Sequence, residues 1–77
     1  MTLYTRCAVD SLINTFLDEG GRVCVVEEGM DGLGKVICVG EGFKSAVITE
    51  RYADSMEIGY SIRLYRKLPK KYEDALY

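Results

Sequence analysis

The sequence predicts an α+β domain: an N-terminal helix packed on a four-stranded antiparallel meander sheet, in the order α-β-β-β-β, with a short C-terminal helix optional. Three observations predict it. An apolar stripe at helical spacing runs through residues 4–17, short β-branched or alternating segments follow, and the connections between those segments are turns rather than crossovers. With 77 residues there is room for a single domain, 1–77, and for one core only.

Each element has its own local reason. Tyr4, Ala8, Val9, Leu12, Ile13, Phe16 and Leu17 recur with the spacing of one helix face, while Arg6, Asp10, Asn14 and Asp18 lie off it. Gly20-Gly21 supplies a left-handed stop, so the helix is placed at 4–19. Leu3, Thr5, Cys7 and Val9 also alternate, which would make 2–8 a strand with Asp10 or Ser11 capping a shorter helix. The stripe continues through Ala8 and Val9 without a phase break, which favours the single helix. Arg22 to Glu28 is β-branched and short, hence the first strand, and Gly29-Met30-Asp31-Gly32 is a turn. Lys35 to Val39 is the second strand, Gly40-Glu41-Gly42 the next turn, and Phe43 to Thr49 the third strand. Residues 50–55 read as a polar connection with room for one helical turn. Met56, Ile58, Tyr60, Ile62 and Leu64 alternate with Glu57, Gly59, Ser61, Arg63 and Tyr65, the pattern of a long strand with one buried face. Pro69 ends it and suits the first position of a short helix over 70–77, with Tyr72, Ala75 and Leu76 on one side.

The composition is too apolar for disorder, at 48% hydrophobic and 29% charged with mean hydropathy near zero. The longest uninterrupted apolar run, Val23 to Val26, is far short of the roughly 20 residues of a membrane span. The first six residues lack the charged and apolar regions of a signal peptide, so a cytoplasmic location is expected. Cys7, Cys24 and Cys38 are odd in number and widely spaced, which favours reduced thiols acting as small hydrophobes. A three-residue loop at Met30-Asp31-Gly32 would set Cys24 opposite Cys38. Opposed Cβ atoms stand about 4.5–5.5 Å apart, beyond the ~3.8 Å of a disulfide, so such a pair would be strained. A two-residue Asp-Gly turn would instead oppose Cys24 to Val39.

No catalytic or metal-binding motif is present, and a non-enzymatic protein without cofactor or metal is expected. There is no histidine to serve as a general base, no Cys-x-x-Cys pair for zinc, no EF-hand pattern, and no nucleophile motif. A phosphate-binding loop joins a strand to a helix N-terminus, whereas both glycine clusters here join strand to strand. The first cluster is also flanked by Glu27, Glu28 and Asp31, which oppose an anion. Carboxylates could still meet in space, but one helix on one sheet offers a shallow cleft.

Charge is unevenly spread. Residues 1–57 carry five basic and ten acidic side chains, and residues 58–77 carry five basic and two acidic, so the body stands at −5 and the tail at +3. The tail interleaves cations with tyrosines, a combination suited to phosphates and stacked bases. The bland account is solvated charge, with Lys deterring edge-to-edge pairing. A net charge of −2 and a pI near 5.0 argue against general nucleic-acid affinity. The expected partner surface, for protein or nucleic acid, is Arg63, Tyr65, Arg66, Lys67, Lys70, Lys71, Tyr72, Leu76 and Tyr77, since Tyr and Arg are enriched at interface hot spots. The first two strands are apolar on both sides, and one helix cannot cover both faces. The second face therefore needs the C-terminal segment, a twin subunit or a partner. A homodimer through Cys24, Val26, Ile37 and Val39 is the expectation.

No stretch matches a family by motif. In size, acidic pI, lack of catalytic residues and α+β plan the chain is similar in kind to small phage or mobile-element proteins that block host machinery, anti-CRISPR proteins among them. That likeness implies a protein-binding inhibitor acting by surface occlusion. The alternative is a small nucleic-acid-associated protein using residues 63–72.

Overall fold

The computed structural model describes residues 2–26 and 34–76. Helix α1 (Arg6–Asp18) lies on an antiparallel sheet of order β1-β2-β3-β4, formed by Arg22–Val26, Lys35–Val39, Ser45–Ala53 and Met56–Tyr65. A 3₁₀ turn at Glu41–Phe43 joins β2 to β3, and a 3₁₀ segment at Lys70–Leu76 follows β4. The predicted fold class is the one observed.

Both helix ends follow from local chemistry. The Thr5 hydroxyl accepts the Ala8 amide at 3.2 Å, so the helix begins at Arg6 rather than at Tyr4. At the other end the Gly20 amide donates to Leu17 O and the Gly21 amide to Phe16 O, the paired bonds of a Schellman motif, with Gly20 at φ +83°. A Cβ on Gly21 would stand 2.5 Å from Val39 O and 2.7 Å from Phe16 O. Only glycine lets the helix end close onto β2.

Tyr4 is not part of the helix. It pairs antiparallel with Tyr60, each amide donating to the other's carbonyl at 2.8 and 3.0 Å, and its side chain is exposed rather than core-facing. The strand reading of residues 2–8, with Asp10 or Ser11 as cap, is not observed: Arg6 to Ala8 are helical behind the Thr5 cap, and only Tyr4 forms a β-bridge. Gly59, at φ +145°, makes that pairing feasible, since a Cβ there would meet Tyr4 O at 3.2 Å.

The polar connection expected at 50–55 is instead the far half of a long hairpin. β3 runs on to Ala53, Ala53 pairs with Met56, and Asp54 and Ser55 form the turn at φ 50° and 66°. Positive φ at both central positions is the type I′ arrangement that matches strand twist. Ser55 is not a residue that advertises it. β4 is as long as expected, but its buried face is not: Tyr60 is buried and Ile62 partly so, while Met56, Ile58 and Leu64 are 72%, 50% and 70% exposed. The strand outruns the helix that would have covered it.

Register settles the cysteines. Cys24 lies opposite Ile37 and Cys38 opposite Val23, so Cys24 and Cys38 are on opposite faces and cannot pair. Neither loop length considered for the first turn gives this register. That turn, with the strand end at Glu27 and Glu28, lies outside the described residues.

One face of the sheet packs Val9, Cys38, Ala46, Ile48 and Tyr60 into a core, flanked by Leu12, Ile13, Phe16, Val23, Val36 and Ile62. The other buries Ile37, Val39 and Val47 with the polar Lys35, Ser45 and Thr49. The chain after β4 crosses that second face to reach β1. Ile37 and Val39 of β2 are thereby covered within one chain, while Val25 of β1 stays exposed.

Candidate binding surfaces

The strand residues on the second face follow from the register: Arg22, Cys24 and Val26; Lys35, Ile37 and Val39; Ser45, Val47, Thr49 and Arg51; Gly59, Ser61, Arg63 and Tyr65. None is acidic. Among the described residues the opposite side carries Asp10 and Asp18 on α1, Glu19 at its end, and Glu50 and Glu57 on the hairpin, against Arg6 and Lys44, the latter beside Phe16 and Glu19. Among the described strand residues, carboxylates thus lie on the helix side and not on the second face.

The expected partner residues are partly gathered. Arg63 is exposed and Tyr65 half-buried on β4, and with Lys71 and Tyr72 of the 3₁₀ segment they line a cavity of about 500 Å³ on the second face. Arg66, Lys67 and Lys70 are exposed but do not line it. The backbone of Leu76 closes the 3₁₀ segment, while its side chain and all of Tyr77 lie outside the described residues. Lys35, Thr49, Arg51 and Ser61 complete the wall, with Val47, Ile62, Thr2 and Tyr4 beside them. Sequence reasoning missed this second group. Its one signal is parity: 35, 49, 51, 61, 63 and 65 share a face only once two registers are known.

Local bonds set the cavity's electrostatics. Arg51 Nε donates to Ser61 Oγ at 2.9 Å, which fixes the guanidinium without neutralising it. Lys71 Nζ stands 5.0 Å from the centre of the Tyr72 ring, a cation–π contact. Among the described residues no carboxylate lines the cavity or pairs with Arg51, Arg63 or Lys71.

The expected dimer face behaves differently. Ile37 is 0% exposed and Val39 is buried within a single chain, Cys24 is half-buried, and the Val26 side chain lies outside the description. Two of the four residues expected to face a twin, Ile37 and Val39, are thus covered by the chain itself. Exposed apolar side chains also lie along the end of the β3–β4 hairpin, on both of its faces: Tyr52, Met56 and Ile58, with Leu3 against Gly59 and Tyr4 beside Tyr60. Tyr52 donates its hydroxyl to Glu50 Oε2 at 2.8 Å, which raises its pKa. Beneath this end the Tyr60 hydroxyl accepts from Arg6 Nη1 at 3.3 Å and donates to Glu57 Oε1 at 3.0 Å, so the hairpin is tied to the helix N-terminus.

Among the described residues no group of three or more His, Cys, Asp or Glu could hold a metal, and no helix is long and apolar enough to cross a membrane. Comparison with protein-family models, curated proteins and solved structures finds no match for the chain.

Proposed function

We propose that this protein is a non-enzymatic binding module that acts by occluding a surface of a protein partner, with the β3–β4 hairpin end as its docking element. The observation that carries this is the exposure of Leu3, Tyr4, Tyr52, Met56 and Ile58 at one end of a small domain. Single exposed apolar residues are ordinary, but several along both faces of one hairpin end are the makings of an interface that grips it. Tyrosine supplies contact area at little entropic cost, and Met adapts to an irregular partner. Among the described residues β3 and β4 run for nine and ten residues, against five each for β1 and β2. A sheet-supported hairpin needs little ordering on binding. The similarity in kind to small mobile-element inhibitors agrees with a module that works by occupancy rather than chemistry.

Affinity capture from the native host with mass spectrometry, repeated with Ile58→Asp and Met56→Asp, tests the proposal. The expected result is a partner retained by the native chain and weakened roughly 5- to 30-fold or more by either substitution, as for an interface anchor. Capture unaffected by both substitutions would remove the hairpin end from the interface. Sedimentation of the chain alone checks the remaining occupant: a dimer that Ile58→Asp converts to monomer would make the partner a second copy.

A further inference from the structure

We propose that the cavity on the second sheet face is a binding site for single-stranded nucleic acid, which grips a phosphodiester with its cations and stacks a base on its tyrosines. This inference uses none of the hairpin-end residues, although Tyr4 borders both surfaces, and rests on three features of the cavity. The first is how its cations are gathered. Lys35 on β2, Arg51 on β3, Arg63 on β4 and Lys71 on the 3₁₀ segment come from four elements to one concavity. Among the described residues, Arg51, Arg63 and Lys71 have no carboxylate partner, so their charge is available to a ligand. The charges of Arg51, Arg63 and Lys71, converging without a carboxylate partner, raise the local potential, and a concave, low-dielectric wall focuses it on an anion.

The second feature is the neutral chemistry of the wall. The hydroxyls of Thr49 and Ser61 sit among the cations, and Ser61 already accepts from Arg51 Nε, which leaves its own proton to donate. Two hydroxyl donors beside guanidinium groups suit phosphate oxygens, which accept several hydrogen bonds at once. The third is Tyr65 and Tyr72, half-buried at the same cavity. Rings next to phosphate-binding cations are the combination that holds a strand by its backbone and its base planes together. A cavity of about 500 Å³ admits one nucleotide unit. A duplex keeps its bases stacked inside, out of reach of rings in such a cavity.

The acidic helix side explains why a chain of net charge −2 can still do this. The strand would run over the basic layer only, and the opposite face would orient it by repulsion.

Fluorescence anisotropy of labelled DNA and RNA oligomers of about 12 nucleotides, with the full chain, is the test. Three to four phosphate contacts predict that affinity for single strands falls about 20- to 50-fold between roughly 50 and 200 mM salt. Arg63→Gln should flatten that salt dependence, and Arg63→Lys should keep it. Tyr72→Ala should weaken binding roughly 5- to 150-fold with the salt slope unchanged. Lys44→Gln, which removes a cation away from the cavity, should change nothing. Equal affinity for a duplex of the same length, or for poly-glutamate, would overturn the proposal in favour of a general cationic surface. Binding of inorganic phosphate or a free nucleotide without binding of the strand would overturn it in favour of a small-anion site. No anisotropy change at ~1 mM protein in low salt would overturn it outright.

Discussion

Ile37→Ala measures whether this small chain has one core or two. Ile37 is 0% exposed on the second face, as fully buried as Ile48 at 1% on the helix face. Removing the outer carbons of a buried Ile forfeits their transfer free energy and leaves a cavity, together about 2–5 kcal/mol. A chain of this length holds roughly 4–12 kcal/mol in total, so either substitution should consume a large part of it. A loss of about 3 kcal/mol corresponds to a fall in Tm of roughly 12–24 °C for a domain of this size. Urea unfolding followed by circular dichroism, with Ile48→Ala as the internal standard, reads the difference directly. Comparable losses at the two positions are expected, independent of protein concentration. If Ile37→Ala costs less than about 1 kcal/mol while Ile48→Ala costs its full amount, the C-terminal segment does not seal the second face. In that event a twin or a partner must cover it. A loss that grows on dilution would carry the same message, because stability supplied by a second copy depends on concentration.

Three further outcomes follow from single residues. Thr5→Ala should cost about 1 kcal/mol in the same urea assay, because the Ala8 amide loses its acceptor; an unchanged midpoint would mean the cap contributes nothing. Ser45→Ala should be neutral or stabilising by about 1 kcal/mol, since the buried Ser45 hydroxyl has no hydrogen-bond partner to lose; clear destabilisation would show that it has one. Burial pushes the Cys38 thiol pKa up, while Cys7 is exposed, so Cys7 should react with a thiol reagent in the native state and Cys38 only on unfolding. With the folded pKa raised, that thiol's contribution is fully present below the unfolded pKa of about 8.5 and is lost as pH rises through the folded value. Cys38→Ala should remove that part of the alkaline decline; an unaltered decline would assign it elsewhere.

The helix, the four strands, their order and the whole of β2 were legible in the sequence because each rests on contacts a few residues apart. Helical spacing from Ala8 to Phe16, β-branched runs, and glycines after Glu19 are local signals, and the structure honours them. The far half of the β3–β4 hairpin was not legible. Glu50, Arg51 and Tyr52 look like a polar loop, yet they are held in β3 by pairing with Tyr60, Gly59 and Glu57. Cross-strand pairing overrode local composition there. The partner surface was half legible: Arg63, Tyr65, Lys71 and Tyr72 stood out as a basic, aromatic tail, but Arg51 was hidden in the supposed loop and Lys35 in a strand. The apolar hairpin end went unread because Met56 and Ile58 carry the alternation of buried residues. A register shift at Arg51/Tyr52 turns Met56 to the other face, and Ile58 stays exposed beyond the core.

By itself, then, the amino-acid sequence determined the class: one helix, one antiparallel meander, and more apolar strand surface than a single helix can cover. Periodicity and turn chemistry suffice for that, since both act through near neighbours along the chain. Only the tertiary structure decided what covers the second face, which residues stay exposed, and which cations meet in one cavity. Those outcomes depend on register, where a shift of one residue exchanges every side chain between faces. The observed register puts Cys24 beside Ile37 rather than Cys38, seals Ile37 within a single chain, and sets Lys35, Arg51 and Arg63 on the layer that carries no carboxylate among the described strand residues.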